Sequence, residues 1–98
     1  MIFSLHSTQS VDIVLYVSNE MRDAYKRFLQ QRGISPNEQF ALQKWMRFFL
    51  DYCDKYNHKA KSRLSIPPFL QKLTSKKQKA LQIRQAEKAI QLFLQCIQ

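Results

Sequence analysis

Arg84, Lys88, Gln91 and Gln95 follow one another at spacings of four, three and four residues, which places them on one face of any helix that contains them. Together they have the chemistry of a nucleic-acid-facing stripe. Arg and Lys neutralise phosphates or reach guanine edges, and Gln can pair with adenine. The plainer reading of the same stripe is an ordinary solvated face. Two basic runs add six cations: Lys59, Lys61 and Arg63 in "NHKAKSRLS", and Lys76, Lys77 and Lys79 in "TSKKQKA". Six phosphate contacts would give duplex binding a log–log salt slope of about −5. Gln43, Lys44 and Arg47, on the polar edge of an upstream segment, complete the set of candidate contact residues.

The charge of the whole chain points the same way. The 98 residues carry a net charge of +9, and the excess is regional. From residue 55 onward, Glu87 is the single acid among Lys55, Lys59, Lys61, Arg63, Lys72, Lys76, Lys77, Lys79, Arg84 and Lys88. Such a block suggests a polyanionic partner, nucleic acid first and an anionic membrane second. It also suits a face that merely keeps the protein soluble. An amphipathic membrane binder would carry its aromatics at the lipid face, whereas here they recur in the apolar stripes of several segments.

Catalytic constellations are missing. One glycine cannot build a phosphate-cradling loop. Asp51 and Asp54 lie one turn apart, in the manner of a solvated pair. Cys53 and His58 would make a nucleophile and base only if Cys53 could ionise, and its place in an apolar stripe opposes that. The two cysteines lack CxxC spacing, and a zinc site needs about four ligands, usually in close pairs, so neither a metal site nor any cofactor is expected. They read as buried thiols of a cytoplasmic protein. No segment reaches the roughly 18 apolar residues of a membrane span, and the N-terminus lacks the pattern of a signal peptide.

The elements that would position these residues are helices. With Gly once and Pro three times in the chain, the tight turns of an all-β fold are missing. Residues 1–18 read as an arm, partly ordered or extending the first helix, because "VDIVLYVS" combines β-branched density with helical spacing. The first clear helix covers about 19–31 and ends at Gly33, where a left-handed cap is wanted. The second opens on "SPNE": Ser35 as N-cap, Pro36 as first helical residue and Glu38 three beyond the cap, a capping box. Its apolar stripe is Leu42, Trp45, Met46, Phe49, Tyr52, Cys53 and Tyr56, with Gln43, Arg47, Asp51 and Asp54 on the wet side and Lys44 at the margin. Ser65 is expected to cap a short third helix with Pro67 and Pro68 in its first turn. "TSKKQKA" is a second basic connection, or a helix running through. A fourth helix spans about 79–97 on Ile83, Ala86, Ile90, Phe93 and Ile97. The sum is an all-α, compact four-helix bundle over residues 19–98.

The stretch "RGISPNEQFALQKWMRFFLDY" resembles the start of the core-binding domain of tyrosine recombinases, the SAM-like N-terminal domain of phage and integron integrases. That family reads as a short helix ending near Gly, then Ser, Thr three later, Tyr four after, Trp three on and Phe four on. Ser35, Trp45 and Phe49 match here. "FLQKL" (69–73) and "RQAEKAIQLFLQ" (84–95) are similar to its third and fourth helices, with Gln85, Ala86, Ala89, Ile90 and Phe93 on the usual "QA..AI..F" run. The resemblance covers about 19–97. Two positions depart from it: the family's frequent Thr is Glu38 and its Tyr is Leu42. A carboxylate at the Thr position would repel a DNA phosphate.

The resemblance implies one half of a clamp around double-stranded DNA, opposite a C-terminal catalytic domain of the same parent chain. The second and fourth helices would face the major groove, and protomers would pair on the DNA. The family's catalytic residues lie in the other domain and nothing here matches them, so the expectation is a non-catalytic fragment ending near the interdomain linker. The rival expectation is a stand-alone basic helical adaptor that binds an acidic protein, its charge serving association rate.

Overall fold

The computed structural model describes residues 19–97. The arm expected over residues 1–18 lies outside the described residues. Among the described residues the protein is all-α: α1 (Asn19–Gln31), α2 (Pro36–Tyr56), α3 (Ile66–Ser75) and α4 (Ala80–Cys96), with a short 3₁₀ turn at Arg63–Ser65 leading into α3.

Each boundary has a local cause. At the end of α1, Gly33 takes φ +75. The amide of Gly33 donates to the Gln30 carbonyl at 3.0 Å and that of Ile34 to the Leu29 carbonyl at 3.1 Å. That is the paired bonding of a Schellman cap, which serves carbonyls the helix would otherwise leave open. Two residues later Ser35 Oγ accepts from the Glu38 amide at 3.3 Å, and Pro36 fills the first helical position. The expected capping box is half formed, because the Glu38 carboxylate turns to Lys88 instead. α2 ends at Asn57, whose φ of 62 is a conformation that asparagine tolerates better than most residues.

The third helix starts differently from the expectation. Ser65 precedes α3, but its backbone is already helical (φ −82, ψ −12) and its side chain caps nothing. The 3₁₀ turn runs straight into α3, and Pro67 and Pro68 have no amide to satisfy. The Ser65 hydroxyl therefore donates to the Lys59 carbonyl at 2.6 Å, tying down the basic loop, while Ser62 Oγ caps the 3₁₀ turn by accepting from the Leu64 amide. "TSKKQKA" contains a break and not a continuous helix: α3 stops at Ser75 and α4 begins at Ala80.

The core forms where the four apolar stripes meet. Tyr25 and Leu29 of α1, Leu42, Met46 and Phe49 of α2, Phe69 and Leu73 of α3, and Ala86, Ala89 and Ile90 of α4 are sealed from solvent. Alanines at 86 and 89 let other helices approach α4 closely. There the Tyr25 hydroxyl donates to the Ala89 carbonyl at 2.8 Å and its ring meets Phe93 edge-on at 5.8 Å. Phe49 and Phe69 join α2 to α3 in the same edge-on manner at 5.4 Å.

α2 is enclosed more fully than its single stripe predicts. Asp51, expected on the wet side, is 2% exposed. Phe49, Asp51, Tyr52 and Cys53 are buried and Leu50 half-buried, and five successive residues cover the full circumference of a helix. At the two ends of α2 the helix opens out, leaving Phe40 and Tyr56 exposed.

Candidate nucleic-acid interface

The α2–α4 seam organises the candidate residues. Trp45 of α2 is buried, so its indole N–H needs an acceptor, and it donates to Gln85 Oε1 of α4 at 3.0 Å. Lys44 folds its ammonium over the same indole, 4.8 Å from the ring centroid. Gln85 in turn lines a groove with Glu38, Leu81, Gln82, Arg84 and Lys88, a hollow of about 360 Å³. Lys44, Arg84 and Lys88 thus flank one seam, with Trp45 and Gln85 between them.

Lys88 is not a free cation. Its Nζ lies 2.7 Å from Glu38 Oε2, and both side chains keep solvent contact, at 47% and 34% exposure. The pair ties the N-terminus of α2 to the middle of α4. It also changes the meaning of Glu38. The carboxylate that would repel a phosphate at the start of α2 carries its own counter-cation, so the local charge there is balanced. An ion pair this exposed contributes at most about 1 kcal/mol, so Lys88 can exchange partners at little cost.

The second half of the stripe meets the basic loop. Gln91 and Gln95 face Arg63, which projects from the 3₁₀ turn, across a polar hollow of about 270 Å³ whose floor is Leu94. Arg32, just beyond α1, donates to Gln95 Oε1 at 2.9 Å while its guanidinium covers Phe28 at 4.5 Å. Gln91 Nε2 makes a long 3.4 Å contact with Glu87. At the opposite end of α4, Lys76, Lys77 and Lys79 form the turn that feeds the helix, and all three are exposed. Lys79 stands at the N-cap position without a side-chain cap, so the first amides of α4 open toward this lysine cluster.

Not every candidate joins this surface. Arg47 is half-buried beside α1, where burial and the neighbouring Arg22 guanidinium both press its pKa below the usual arginine value. Gln43 is half-buried on the same helix, and neither residue lines the groove around Gln85. Lys59 and Lys61 are exposed on the loop before the 3₁₀ turn, with no side-chain partner among the described residues. Sequence reasoning passed over Gln85 and Arg32 as site residues. A signal for Gln85 existed: a buried tryptophan needs an acceptor, and Gln85 lies beside Arg84 and one turn before Lys88.

Cys53 is buried and unpaired, and burial pushes its thiol up to about 12 against a lesser lowering by the neighbouring Ser65 side chain. Cys96 is also unpaired and raised by burial. His58 stacks on Tyr52 at 5.2 Å, and its amide donates to the Cys53 carbonyl at 2.8 Å. Among the described residues no group of His, Cys, Asp and Glu has the arrangement of a metal site, and no helix is long and apolar enough to cross a membrane.

Compared with family models, curated proteins and solved structures, the chain matches none.

Proposed function

We propose that this chain is the core-binding part of a site-specific tyrosine recombinase or integrase, and that it holds duplex DNA across the α2–α4 seam. The observation that carries the reading is the convergence of Lys44, Arg84 and Lys88 on that seam through Trp45 and Gln85. Arg63 with Gln91 extends the contact toward the C-terminal end of α4, and Lys76, Lys77 and Lys79 supply phosphate contacts at its N-terminal end. The part itself does no chemistry. Strand cleavage belongs to a catalytic domain further along the parent chain, with self-association on the DNA and a cytoplasmic site of action.

The test is a titration of labelled duplex DNA over a range of salt concentrations. The double variant Arg84→Ala/Lys88→Ala is expected to weaken binding and to lower the log–log salt slope by about two. An unchanged slope removes α4 as the contact surface. Duplex binding no stronger at low salt than that of any cation-rich protein would favour the adaptor alternative, with an acidic protein as partner.

A further inference from the structure

A glutamine side chain in solution can turn over, offering its carbonyl and amino ends to an adenine edge together. Gln85 has lost that freedom. Its partner, the Trp45 indole, is a donor without acceptor capacity, so the atom held at 3.0 Å must be the carboxamide oxygen. Trp45 is 2% exposed and fixed in the core, so the oxygen stays turned inward and the NH₂ group is left for the groove. The same device recurs nearly three turns along α4, where the Arg32 guanidinium, also a pure donor, holds Gln95 by its oxygen.

The groove around Gln85 is therefore rich in donors. Arg84 and Lys88 add cationic N–H groups on the same wall. Its one carboxylate, Glu38, already has Oε2 engaged by Lys88. Leu81, 73% exposed, gives an apolar surface beside them on which a base edge can rest.

We infer that this groove reads the acceptor-rich major-groove edge of guanine, with Gln85 as the residue that sets the preference. This rests on the DNA-binding reading above. Guanine presents N7 and O6, both acceptors, to the Gln85 amino group and the Arg84 guanidinium. Adenine presents an amino donor at the place of O6, and a pinned Gln85 has no acceptor to meet it. Trp45 is the positioning residue, acting only through the orientation of Gln85.

Selection from a randomised duplex pool, followed by paired titrations of the preferred duplex and its guanine-to-adenine counterpart, tests this. Both duplexes carry the same phosphates, so their affinity ratio cancels the general electrostatic contribution. The wild-type chain is expected to favour guanine by about tenfold at one position or more. Gln85→Glu keeps the shape and still accepts from Trp45, but presents an oxygen to the groove. It is expected to retain the helical circular-dichroism signal and to lose the guanine preference. Trp45→Phe, which frees Gln85 to turn over, should relax the preference toward adenine while duplex binding persists. Wild-type binding with no guanine preference, or a preference unchanged in Gln85→Glu, overturns the inference and leaves the DNA-binding reading standing. Absence of duplex binding overturns both.

Discussion

The turn after α1 and the turn after α3 solve the same problem with the same hydrogen bonds. At the first, Gly33 donates to Gln30 and Ile34 to Leu29; at the second, Lys77 donates to the Thr74 carbonyl at 2.9 Å and Gln78 to that of Leu73 at 3.1 Å. Both hinge residues are left-handed, with φ of 75 at Gly33 and 64 at Lys77. Only the first position has the residue that the conformation prefers. A glycine enters this region freely, whereas a side chain meets its own backbone there at a cost of about 1 kcal/mol. The α1–α2 connection is built for the fold. The α3–α4 connection carries a strained lysine between Lys76 and Lys79, in front of the open amides of α4. Strain kept at a surface position argues that the side chain there does something other than fold the chain.

The largest effect should come from undoing the favourable turn. Gly33→Val forces a β-branched residue to φ +75 and is expected to cost about 2 kcal/mol, lowering the Tm by roughly 10 °C. A Cβ at this position would meet no atom within 4 Å beyond its own residue and its two chain neighbours, so the loss measures local backbone conformation and not a tertiary clash. A change below about 0.5 kcal/mol would remove the contrast between the two turns.

The contrast has an exception within α2. Asp51 is buried, and its Oδ1 has no hydrogen-bond partner among the described residues. Burial raises its pKa above 3.8, with Asp54 adding to the rise and Lys55 opposing it. The folded state therefore holds the proton more tightly than the unfolded one. The fold is favoured at low pH, where both states are protonated, and loses stability as pH rises through the raised value. Asp51→Asn cannot ionise and escapes that loss. It is expected to gain about 1 kcal/mol at pH 7, the gain shrinking toward zero as the pH falls below the ordinary carboxyl range. Denaturant melts of both proteins across that range measure it. A gain independent of pH would mean that the carboxylate is not the source of the cost.

How far the sequence carries depends on whether a residue's fate is decided locally. Gly33, the Ser35–Pro36 start and the 3.6-residue stripes act within one or two turns, and from them the four helices and most of the core are legible. What escaped was decided between helices. Glu38 has the sequence of a capping box, but its carboxylate goes to Lys88, fifty residues away. Asp51 has the spacing of a wet residue and is nevertheless enclosed. On the candidate interface, charge and period bring Arg84, Lys88, Gln91 and Lys44 into view. Arg47 has the same composition signal, yet it turns to α1 because a helix edge beside two neighbours has two ways to face. The pinned orientation of Gln85 is a tertiary contact over forty residues, beyond the reach of any local pattern.

The smallest effect is the most telling for the comparison, because stability and binding should move in opposite directions. Lys77→Gly relieves the left-handed strain but frees the unfolded chain, leaving a net gain of about 0.5 kcal/mol. The same change removes one cation from the turn ahead of α4, so duplex affinity should fall and the salt slope should drop by about one. Lys77→Asn offers a control: it tolerates the left-handed region, lacks the charge, and should match the glycine variant in binding while gaining less stability. A glycine variant that is more stable and binds duplex as tightly as the wild type would make Lys77 a residue of no consequence for DNA. The strain would then mark nothing more than a turn that tolerates it, and the case for phosphate contact at this end of α4 would rest on Lys76 and Lys79 alone.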